Sequence, residues 1–392
     1  MSTFNELIDF TRSTTGTYLG FDGLLKTAAV DEPRLEYDAQ GNALGLLIEE
    51  ARSNLFRYSQ ELSNVSHSLI TTDNATVSPD GAQNASLCIP TSANVEHYID
   101  DQTVIVGTDY AISCFAKYGS GSYLLSFRGA SIGADAPRFD LQTGTVVNEG
   151  ASNQWSNTKI EDVGNGWYKC SSVGNSNNTS PLRFQIIRSD AATTFIGDGT
   201  GHYIYGAQVE EGTFPTSYIP TSGSAVTRVV DSAVATLSDF YYRQKNGSMV
   251  VEFTSKYDES ASLFKRVCEI GNTNTSDNRI LAYVKTDETR AFSQVWDNNV
   301  FQAGATLTTS LSNGTGVYSK AALVWETNNA HAAFDGDLVG SADTTVSLTQ
   351  TRDTLGIMRS PSGTANTLTG HIKSIQYYPL RVADAKLETL TS

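Results

Sequence analysis

Adjacent pairs of carboxylates are the residues of this sequence that come first into question for catalysis. Cleavage of a glycosidic bond requires two carboxyl groups about 5–10 Å apart, one on each side of the sugar. Glu49–Glu50 and Glu210–Glu211 are neighbouring pairs, and neighbours along a β-strand point to opposite faces of the sheet. Asp100–Asp101 lies in a polar stretch that is typical of a loop. We therefore expect no catalytic acid pair and no enzyme.

Other catalytic and metal-binding arrangements have little support. The five histidines are dispersed, and none shows the H-E-x-x-H spacing of a zinc protease. A Ser-His-Asp triad is assembled in space, so the sequence leaves it open. Asp198–Gly201 and Asn272–Asn278 are oxygen-rich loops that could attract calcium, but their spacing has no ordered ligand pattern and is as typical of plain turns. We expect no metal and no cofactor.

The cysteines are interpreted as buried, inert thiols. The chain has four of them, scattered and without a C-x-x-C pair: Cys88, Cys114, Cys170 and Cys268. This number is too small for a disulfide scaffold. Cys114 alternates with Ile112 and Ala116 in a strand-like run, which is the usual setting of a core thiol.

Sugar binding makes smaller demands on a sequence than catalysis does. An aromatic ring packs on the apolar face of a pyranose while amide, carboxylate or guanidinium groups bond its hydroxyls. Trp155 stands in a polar stretch, and Trp296 precedes a polar run that includes Asn298. We predict these three as glycan-binding residues, with burial of the tryptophans as the alternative. Trp167 and Trp325 lie in strand patterns and are interpreted as core.

Composition and charge exclude several classes of protein. The 392 residues are 39 % hydrophobic, enough for a real core, and carry a net charge of −15. A field of that sign repels phosphate backbones, so we expect no nucleic-acid partner. No apolar run approaches the roughly 18 residues that cross a bilayer. The first ten residues lack the basic and apolar parts of a signal peptide, so we expect synthesis in a cytoplasm and no membrane insertion.

Short alternating stretches bounded by turn residues dominate the chain and predict an antiparallel all-β architecture. Met249–Phe253 and Ala321–Trp325 alternate as half-buried strands. Asp335–Gly336 is predicted as a hairpin turn, because both residues tolerate positive φ, and Thr143–Gly144 and Asn165–Gly166 are predicted as two further hairpins. The one predicted helix covers residues 383–390, with Asp384 as its N-cap.

We divide the chain into three parts. Residues 51–222 and 223–392 are each long enough for one sandwich, and the Pro215–Gly223 stretch is the predicted surface linker between them. Residues 1–50 contain too few strands for an independent core, so we expect this extended segment to pack on the next domain or on a neighbouring subunit.

Three blocks of motifs resemble those of bacteriophage tail-fibre, head-fibre and spike proteins. The first block covers residues 9–13 (DFTRS), 23–28 (GLLKTA), 33–34 and 45–55 (GLLIEEARSNL). The second covers residues 165–168 (NGWY), 205–212 (YGAQVEEG), 216–221 (TSYIPT) and 227–228. The third covers residues 370–372 and 377–381 (YYPLR). The middle domain resembles jelly-roll carbohydrate-binding modules, and the last resembles laminin-G-like, or concanavalin A-like, sandwiches. The fold thus expected is two tandem sandwiches, jelly-roll-like and then laminin-G-like, behind an extended N-terminal segment.

The resemblance implies a virion component that adheres to host-surface glycans without cleaving them. Its implied partners are those glycans, other virion proteins, and further copies of the chain, expected as a trimer. Arg12, Arg34 and Arg52 flank apolar extended segments, and we predict that they dock the chain on the virion or on a second subunit; the alternative is that they are solvated or intradomain arginines. Two other functions stay open, a purely architectural capsid decoration or tail subunit and a depolymerase.

Overall fold

The computed structural model describes residues 7–103, 105–129, 135–175, 181–258, 262–288, 290–306, 311 and 316–392. Antiparallel strands account for nearly all regular structure in these ranges, which confirms the all-β prediction. Short 3₁₀ turns cover Leu62–Asn64, Leu237–Phe240 and Thr286–Glu288. Within the described ranges, no helix is both long and apolar enough to span a membrane.

The first strands of the chain are short and are separated by tight turns. They are β1 (Asp9–Thr11), β2 (Gly16–Leu19), β3 (Leu25–Ala28), β4 (Arg34–Tyr37), β5 (Ala43–Ile48) and β6 (Arg52–Asn54). β2 and β3 form a hairpin of their own, with Thr17 opposite Thr27.

The middle of the chain forms the first sandwich. Its strands are β7 (Ser66–His67), β8 (Leu69–Val77), β9 (Gln83–Pro90), β10 (Val95–Thr103), β11 (Asp109–Lys117), β12 (Tyr123–Gly129), β13 (Arg138–Asp140), β14 (Thr145–Asn148), β15 (Trp155–Gly164), β16 (Trp167–Asn175), β17 (Pro181–Arg188), β18 (Thr194–Phe195) and β19 (His202–Glu211). One sheet has the order β14-β13-β12-β17-β10-β18, with β7 also on β10, and the other has the order β15-β16-β11-β19-β9-β8.

The remaining strands build the second sandwich. They are β20 (Val226–Arg228), β21 (Ser232–Thr236), β22 (Asn246–Phe253), β23 (Phe264–Gly271), β24 (Arg279–Lys285), β25 (Arg290–Asp297), β26 (Val300–Thr306), β27 (Ser319–Glu326), β28 (Asn329–Phe334), β29 (Asp337–Leu338), β30 (Thr354–Ile357) and β31 (Gly370–Tyr378). Its sheets have the orders β1-β21-β30-β23-β24-β25-β26 and β29-β28-β27-β22-β31-β5-β4, and β20 pairs with β6.

Strands of the N-terminal segment therefore belong to the sheets of the second sandwich rather than to those of the domain that follows the segment in sequence. Phe10 pairs with Ala233, and Ile48 pairs with Gly370. Phe10, Leu46 and Ile48 are buried in the core of the second sandwich. These contacts lie within one chain, so the segment packs on its own chain.

The predicted turns and core strands agree with the structure. Asp335 and Gly336 adopt φ values of 44° and 91° and join β28 to β29. Met249 and Val251 point into the core between the sheets. Val250, on the other face of β22, is also buried, because Leu387 of the C-terminal helix packs over it. The strand that the alternation predicted as half-buried is thus buried on both faces.

The C-terminal helix α1 (Asp384–Thr391) is confirmed, but its predicted cap is wrong. Ala383 occupies the N-cap position without a side-chain cap bond, and Asp384 is the first helical residue. The Asp384 carboxylate instead pairs with Arg381 at 2.6 Å, and it lies 3.1 Å from the ring of His331.

The predicted surface linker is only partly right, since much of the connection between the sandwiches is buried although Pro220, Ser222 and Gly223 are exposed. Thr216, Tyr218, Ile219 and Thr221 are all buried. Tyr218 packs with Phe115 on the outer face of the sheet that runs from β15 to β8 in the first sandwich. Its hydroxyl lies 2.6 Å from the Ser59 hydroxyl. The connector is therefore held against the first sandwich by its buried side chains, while Pro220 faces solvent.

Candidate functional site

A cleft of about 650 Å³ opens where three parts of the chain meet. One wall comes from the β2–β5 region, the second from β15 and β16 of the first sandwich, and the third from the second sandwich near Thr254–Tyr257. The buried connector, including Pro215 and Tyr218, forms part of the lining. Its volume is in the range of small-molecule and sugar sites.

A buried ionic cluster lies directly beside this cleft. Arg34 donates to Glu49 at 2.6 Å and to Asp231 at 2.5 Å, and its side chain is fully buried. Arg12 bonds the other oxygen of Asp231 at 3.1 Å, and Arg228 lies 3.0 Å from Glu49. Buried charges are tolerated only when they are paired and hydrogen-bonded. The cluster therefore fixes the N-terminal segment and the start of the second sandwich in one arrangement.

Ser217 of the connector joins this cluster to the cleft wall. Its backbone N–H donates to Glu49 Oε1 at 2.8 Å and its hydroxyl lies 2.7 Å from Glu49 Oε2. Burial alone would raise the pKa of Glu49, but the charges of Arg228 and Arg34 and these bonds from Ser217 lower it far below its ordinary value. Glu49 is consequently a fixed anion at physiological pH. It serves as a structural counter-ion rather than as a proton donor.

A second buried carboxylate near the connector has the opposite shift. Burial raises the pKa of Glu210, although bonds from the Thr216 hydroxyl and backbone N–H and the charge of Arg52 oppose that rise. Gln208 also donates to it at 2.8 Å. These hydrogen bonds hold the connector against β19. The acceptor oxygens of Glu210 are therefore occupied by groups of the same chain.

Tyrosines supply the half-exposed aromatic surface of the cleft. Tyr18, Tyr37 and Tyr318 all line it and are half-buried. The Lys373 ammonium lies 4.6 Å from the centre of the Tyr318 ring. Rings held in this way cost little conformational entropy when a flat ligand packs on them.

Lysines supply the positive charge of the cleft. Lys159 and Lys169 lie on β15 and β16, and Lys256 follows β22 on the opposite wall. Burial lowers the pKa of Lys159; the charge of Glu161 opposes this and that of Lys256 adds to it. The two sandwiches thus bring like charges close together across the cleft.

The carboxylates of the lining are mostly bonded within the protein. Oε2 of Glu36 lies 2.7 Å from Nε2 of His371. Burial alone would raise the pKa of Glu36, but the hydrogen bond and charge of His371 lower it. Asp38 accepts from the Asn42 amide at 2.8 Å, and this bond lowers its pKa. A general acid for sugar cleavage needs a raised pKa, so neither group suits that role.

The structure corrects the predicted tryptophan platform at Trp155. This side chain is 3 % exposed and belongs to the core of the first sandwich. The polar residues around it mark an edge strand, whereas the ring itself points inward under Gly150, where an added Cβ would come within 2.8 Å of it. Trp167 and Trp325, predicted as core, are buried.

Trp296 and Asn298 lie on the second sandwich, outside the lining of the cleft. Trp296 is half-buried, with the Arg279 guanidinium 4.8 Å from its ring centre and its Nε1 donating to Gln294 at 3.0 Å. The Phe301 ring, 50 % exposed, meets it edge to face. Asn298 is exposed at the β25–β26 turn. A glycan-binding role for these two residues stays a prediction.

The predicted docking role is wrong for two of the three arginines. Arg12 is 1 % exposed and Arg34 is 0 % exposed, and both are bonded inside the ionic cluster. A buried guanidinium cannot reach a partner protein. Arg52 bonds Glu50 at 2.6 Å and lies 4.8 Å from the Phe214 ring centre, so its side chain is also engaged within the chain.

The sequence interpretation missed the cleft because its residues come from distant parts of the chain. Lys159 and Lys256 are almost a hundred positions apart, and Tyr37 is further still from both. The available signal was the set of charged residues within strands β15 and β16, in a chain with only 18 % charged residues. For the metal question, the described residues contain no group of three or more His, Cys, Asp or Glu placed to hold an ion.

Comparison with known proteins yields only distant structural likeness. No family model and no curated protein matches the sequence. The CBM40 of the Ruminococcus gnavus IT-sialidase, bound to α2,6-sialyllactose, is 15 % identical, with a TM-score of 0.33, over 40 % of this chain and 87 % of that one. Domains LG4–5 of the mouse laminin α1 chain are 11 % identical, with a TM-score of 0.27, over 84 % and 89 % of the two chains. Sheep galectin-11 is 7 % identical, with a TM-score of 0.24, over 37 % and 96 %. At most a β-sandwich architecture is common to these proteins and this chain.

Proposed function

We propose that the chain is an adhesion protein of a bacteriophage virion, in a tail fibre, head fibre or spike, that binds host-surface glycans without cleaving them. The sequence blocks that resemble phage fibre proteins supply the virion part of this proposal. The observation that carries the binding part is the cleft of about 650 Å³ between the two sandwiches and the N-terminal segment. It combines tyrosine faces with polar and charged groups, which is the chemistry that sugars require.

Rigidity of the cleft supports this assignment. Binding is weakened when loops must become ordered around a ligand, and here most of the lining comes from strands and the connector, with the turn at 38–40 on one side. The cluster of Arg34, Glu49 and Asp231 fixes the N-terminal wall against the second sandwich. Ser217 ties the connector to the same cluster. The site is therefore largely formed before the ligand arrives.

Binding without cleavage is favoured by the state of the lining carboxylates. The pKa values of Glu36 and Asp38 are lowered by their own hydrogen bonds, so both stay ionised at neutral pH. A depolymerase would need one carboxyl group that remains protonated there. Adhesion then relies on several weak sites acting together, and a trimer of this chain would raise avidity by about 10²–10⁴ over one site.

The test is a glycan array probed with the purified full-length protein, followed by calorimetry on the best ligand. Tyr37→Ala, in the cleft, should weaken binding at least about fivefold, as for a buried aromatic contact. Tyr241→Ala is the matched control, because Tyr241 is 90 % exposed and outside the cleft. Equal losses in both variants would contradict the cleft assignment.

Two further measurements separate the alternatives. Released reducing ends from a bound polysaccharide would identify a depolymerase. Absence of binding to every glycan on the array, together with tight binding to purified capsid or tail proteins, would favour an architectural subunit. Such a subunit is expected to bury a large interface. Native mass spectrometry tests the proposed trimer.

A further inference from the structure

The outer face of one sheet in the second sandwich carries a group of aromatic side chains. The core takes every second residue of β24, so the residues between them lie on the outer face of the sheet. There Arg279 pairs across the strands with Trp296 of β25, and Trp296 pairs with Phe301 of β26. Four positions further along β24, the Tyr283 ring stacks with the Phe292 ring at 5.2 Å between centres. These five side chains form the outer aromatic face.

Hydrogen bonds hold the rings of this face in place. Gln294 lies on β25 between the two rows. Its amide nitrogen donates to the Tyr283 hydroxyl at 3.0 Å, and its amide oxygen accepts from Trp296 Nε1 at 3.0 Å. An amide nitrogen has two N–H donors, and within the described residues only one of those of Gln294 is used. The face is thus rigid and retains a donor.

Arg279 adds a guanidinium whose donors lack acceptors. Its Cζ lies 4.8 Å from the centre of the Trp296 ring. Its Nε is buried and has no hydrogen-bond partner in the part of the chain that the structure describes. Glu269, on the same sheet, instead pairs with Arg266 at 2.6 Å. A buried donor without an acceptor is unfavourable, so this guanidinium favours a ligand that brings oxygen atoms to it.

The charges around Arg279 balance one another. Besides Arg279 itself, the charged side chains that act on its guanidinium are the cation Arg266 and the anions Glu269 and Asp277. Two cations therefore meet two anions, whereas the whole chain carries −15. A ligand without charge is neither attracted nor repelled by such a local field.

We infer that the outer aromatic face is a further glycan-binding surface and that its ligand is a neutral sugar. The rings of Trp296 and Phe301 would pack on the apolar face of a pyranose, while Arg279 and Gln294 would donate to its hydroxyls. This surface lies outside the lining of the cleft and does not depend on it. Each chain would then bind sugars at two places, which raises the avidity of an oligomer further.

The first test uses the different exposure of the four tryptophans. Trp155, Trp167 and Trp325 are at most 3 % exposed, whereas Trp296 is half-buried. Acrylamide in water should therefore quench the fluorescence of Trp296 in preference to the others. Neutral oligosaccharides of glucose, galactose or mannose that bind the full-length protein in calorimetry should protect Trp296 from the quencher. Binding without any such protection would overturn the inference.

Two variants test the same surface without removing a buried ring. Phe301→Ala should weaken neutral-sugar binding at least about fivefold, because Phe301 is 50 % exposed. Gly304→Ala should also weaken it, since the added Cβ would lie 2.8 Å from Cζ of Phe301 and displace that ring. Tyr241→Ala, which removes an exposed ring elsewhere, is the control and should change nothing. Unchanged thermal unfolding excludes a folding defect.

The remaining outcomes separate this surface from the cleft and from a protein interface. The affinity should stay the same when salt rises from about 0.1 M to about 1 M, and a steep fall would contradict a neutral ligand. Loss of sugar binding in Tyr37→Ala but not in Phe301→Ala would overturn this inference and leave the cleft assignment intact. Absence of binding to every sugar would overturn both. Binding of a purified capsid or tail protein that Phe301→Ala abolishes would assign the face to a protein partner and overturn the sugar.

Discussion

The Arg34 guanidinium and the Asp231 carboxylate meet at 2.5 Å, although 197 positions separate them in the sequence. Asp231 also accepts from Arg12 at 3.1 Å and from the Glu49 backbone N–H at 2.8 Å. One carboxylate thus holds the N-terminal segment, the end of β5 and the approach to β21 together. Its side chain is completely buried, so water does not compete for these bonds.

Removing that carboxylate should be costly. Asp231→Ala leaves Arg12 and Arg34 buried without one of their counter-charges, and breaking a buried pair in this way destabilises by about 3–5 kcal/mol. The measurement is the free energy of unfolding in urea. Asp190→Ala is the control, because Asp190 is half exposed in its pair with Arg188, and such pairs contribute about 0–1 kcal/mol. If Asp231→Ala lost as little unfolding free energy as Asp190→Ala, the structural role of the cluster would be contradicted.

Stability should fall in acid because of Glu49. Its folded-state pKa is lowered below the ordinary value of 4.5, so its contribution is fully present above about pH 5 and is lost as the pH falls through 4.5 toward the folded-state pKa. Glu49→Gln should therefore be less stable at pH 7 and lose less on acidification. Unfolding free energies between pH 7 and 3 provide the measurement. Glu388→Gln, at an exposed position of α1, is the control and should lose as much unfolding free energy on acidification as the parent does. The prediction would be refuted if the unfolding free energy of Glu49→Gln fell with pH as steeply as that of the parent.

The strands and hairpins could be predicted because their signals are local. Asp335–Gly336 must turn, since both residues accept positive φ, and both adopt it. The placement of β1, β4 and β5 could not be predicted in the same way. Ile48 pairs with Gly370, and nothing in either short segment specifies a partner more than 300 residues away.

The candidate site was predicted less well than the fold. Trp155 was predicted as exposed because its sequence neighbours are polar, yet edge strands combine polar outer residues with a single buried ring. Arg12 and Arg34 were recognised as important, but charge patterning cannot distinguish a partner protein from a carboxylate 200 residues along the same chain. The cleft lysines depend on the relative placement of two sandwiches, which no local pattern encodes.

Gly45 should be irreplaceable where β5 meets β31. Its φ of 112° is unfavourable for other residues, and a Cβ there would lie 2.3 Å from the Ile372 carbonyl oxygen. Gly45→Ala should therefore separate the strands and cost at least about 2 kcal/mol. Unfolding in urea and faster proteolysis of the N-terminal segment are the measurements. Gly363→Ala, with no atom within 4 Å of its added Cβ, should stay within about 1 kcal/mol of the parent; similar losses would contradict the explanation.

The four cysteines should be unreactive until the protein unfolds. All are buried and free, which confirms their interpretation as core thiols, and Cys114 lies directly opposite Cys170 on neighbouring strands. Burial raises the pKa of Cys268 to about 12 and also raises those of the other three. Because the thiolate is the reactive form, a thiol reagent at pH 8 should modify none of them in the native protein and all of them in urea. Asn298→Cys supplies an exposed thiol as the positive control, and native labelling of any core cysteine at the rate of that thiol would refute the prediction.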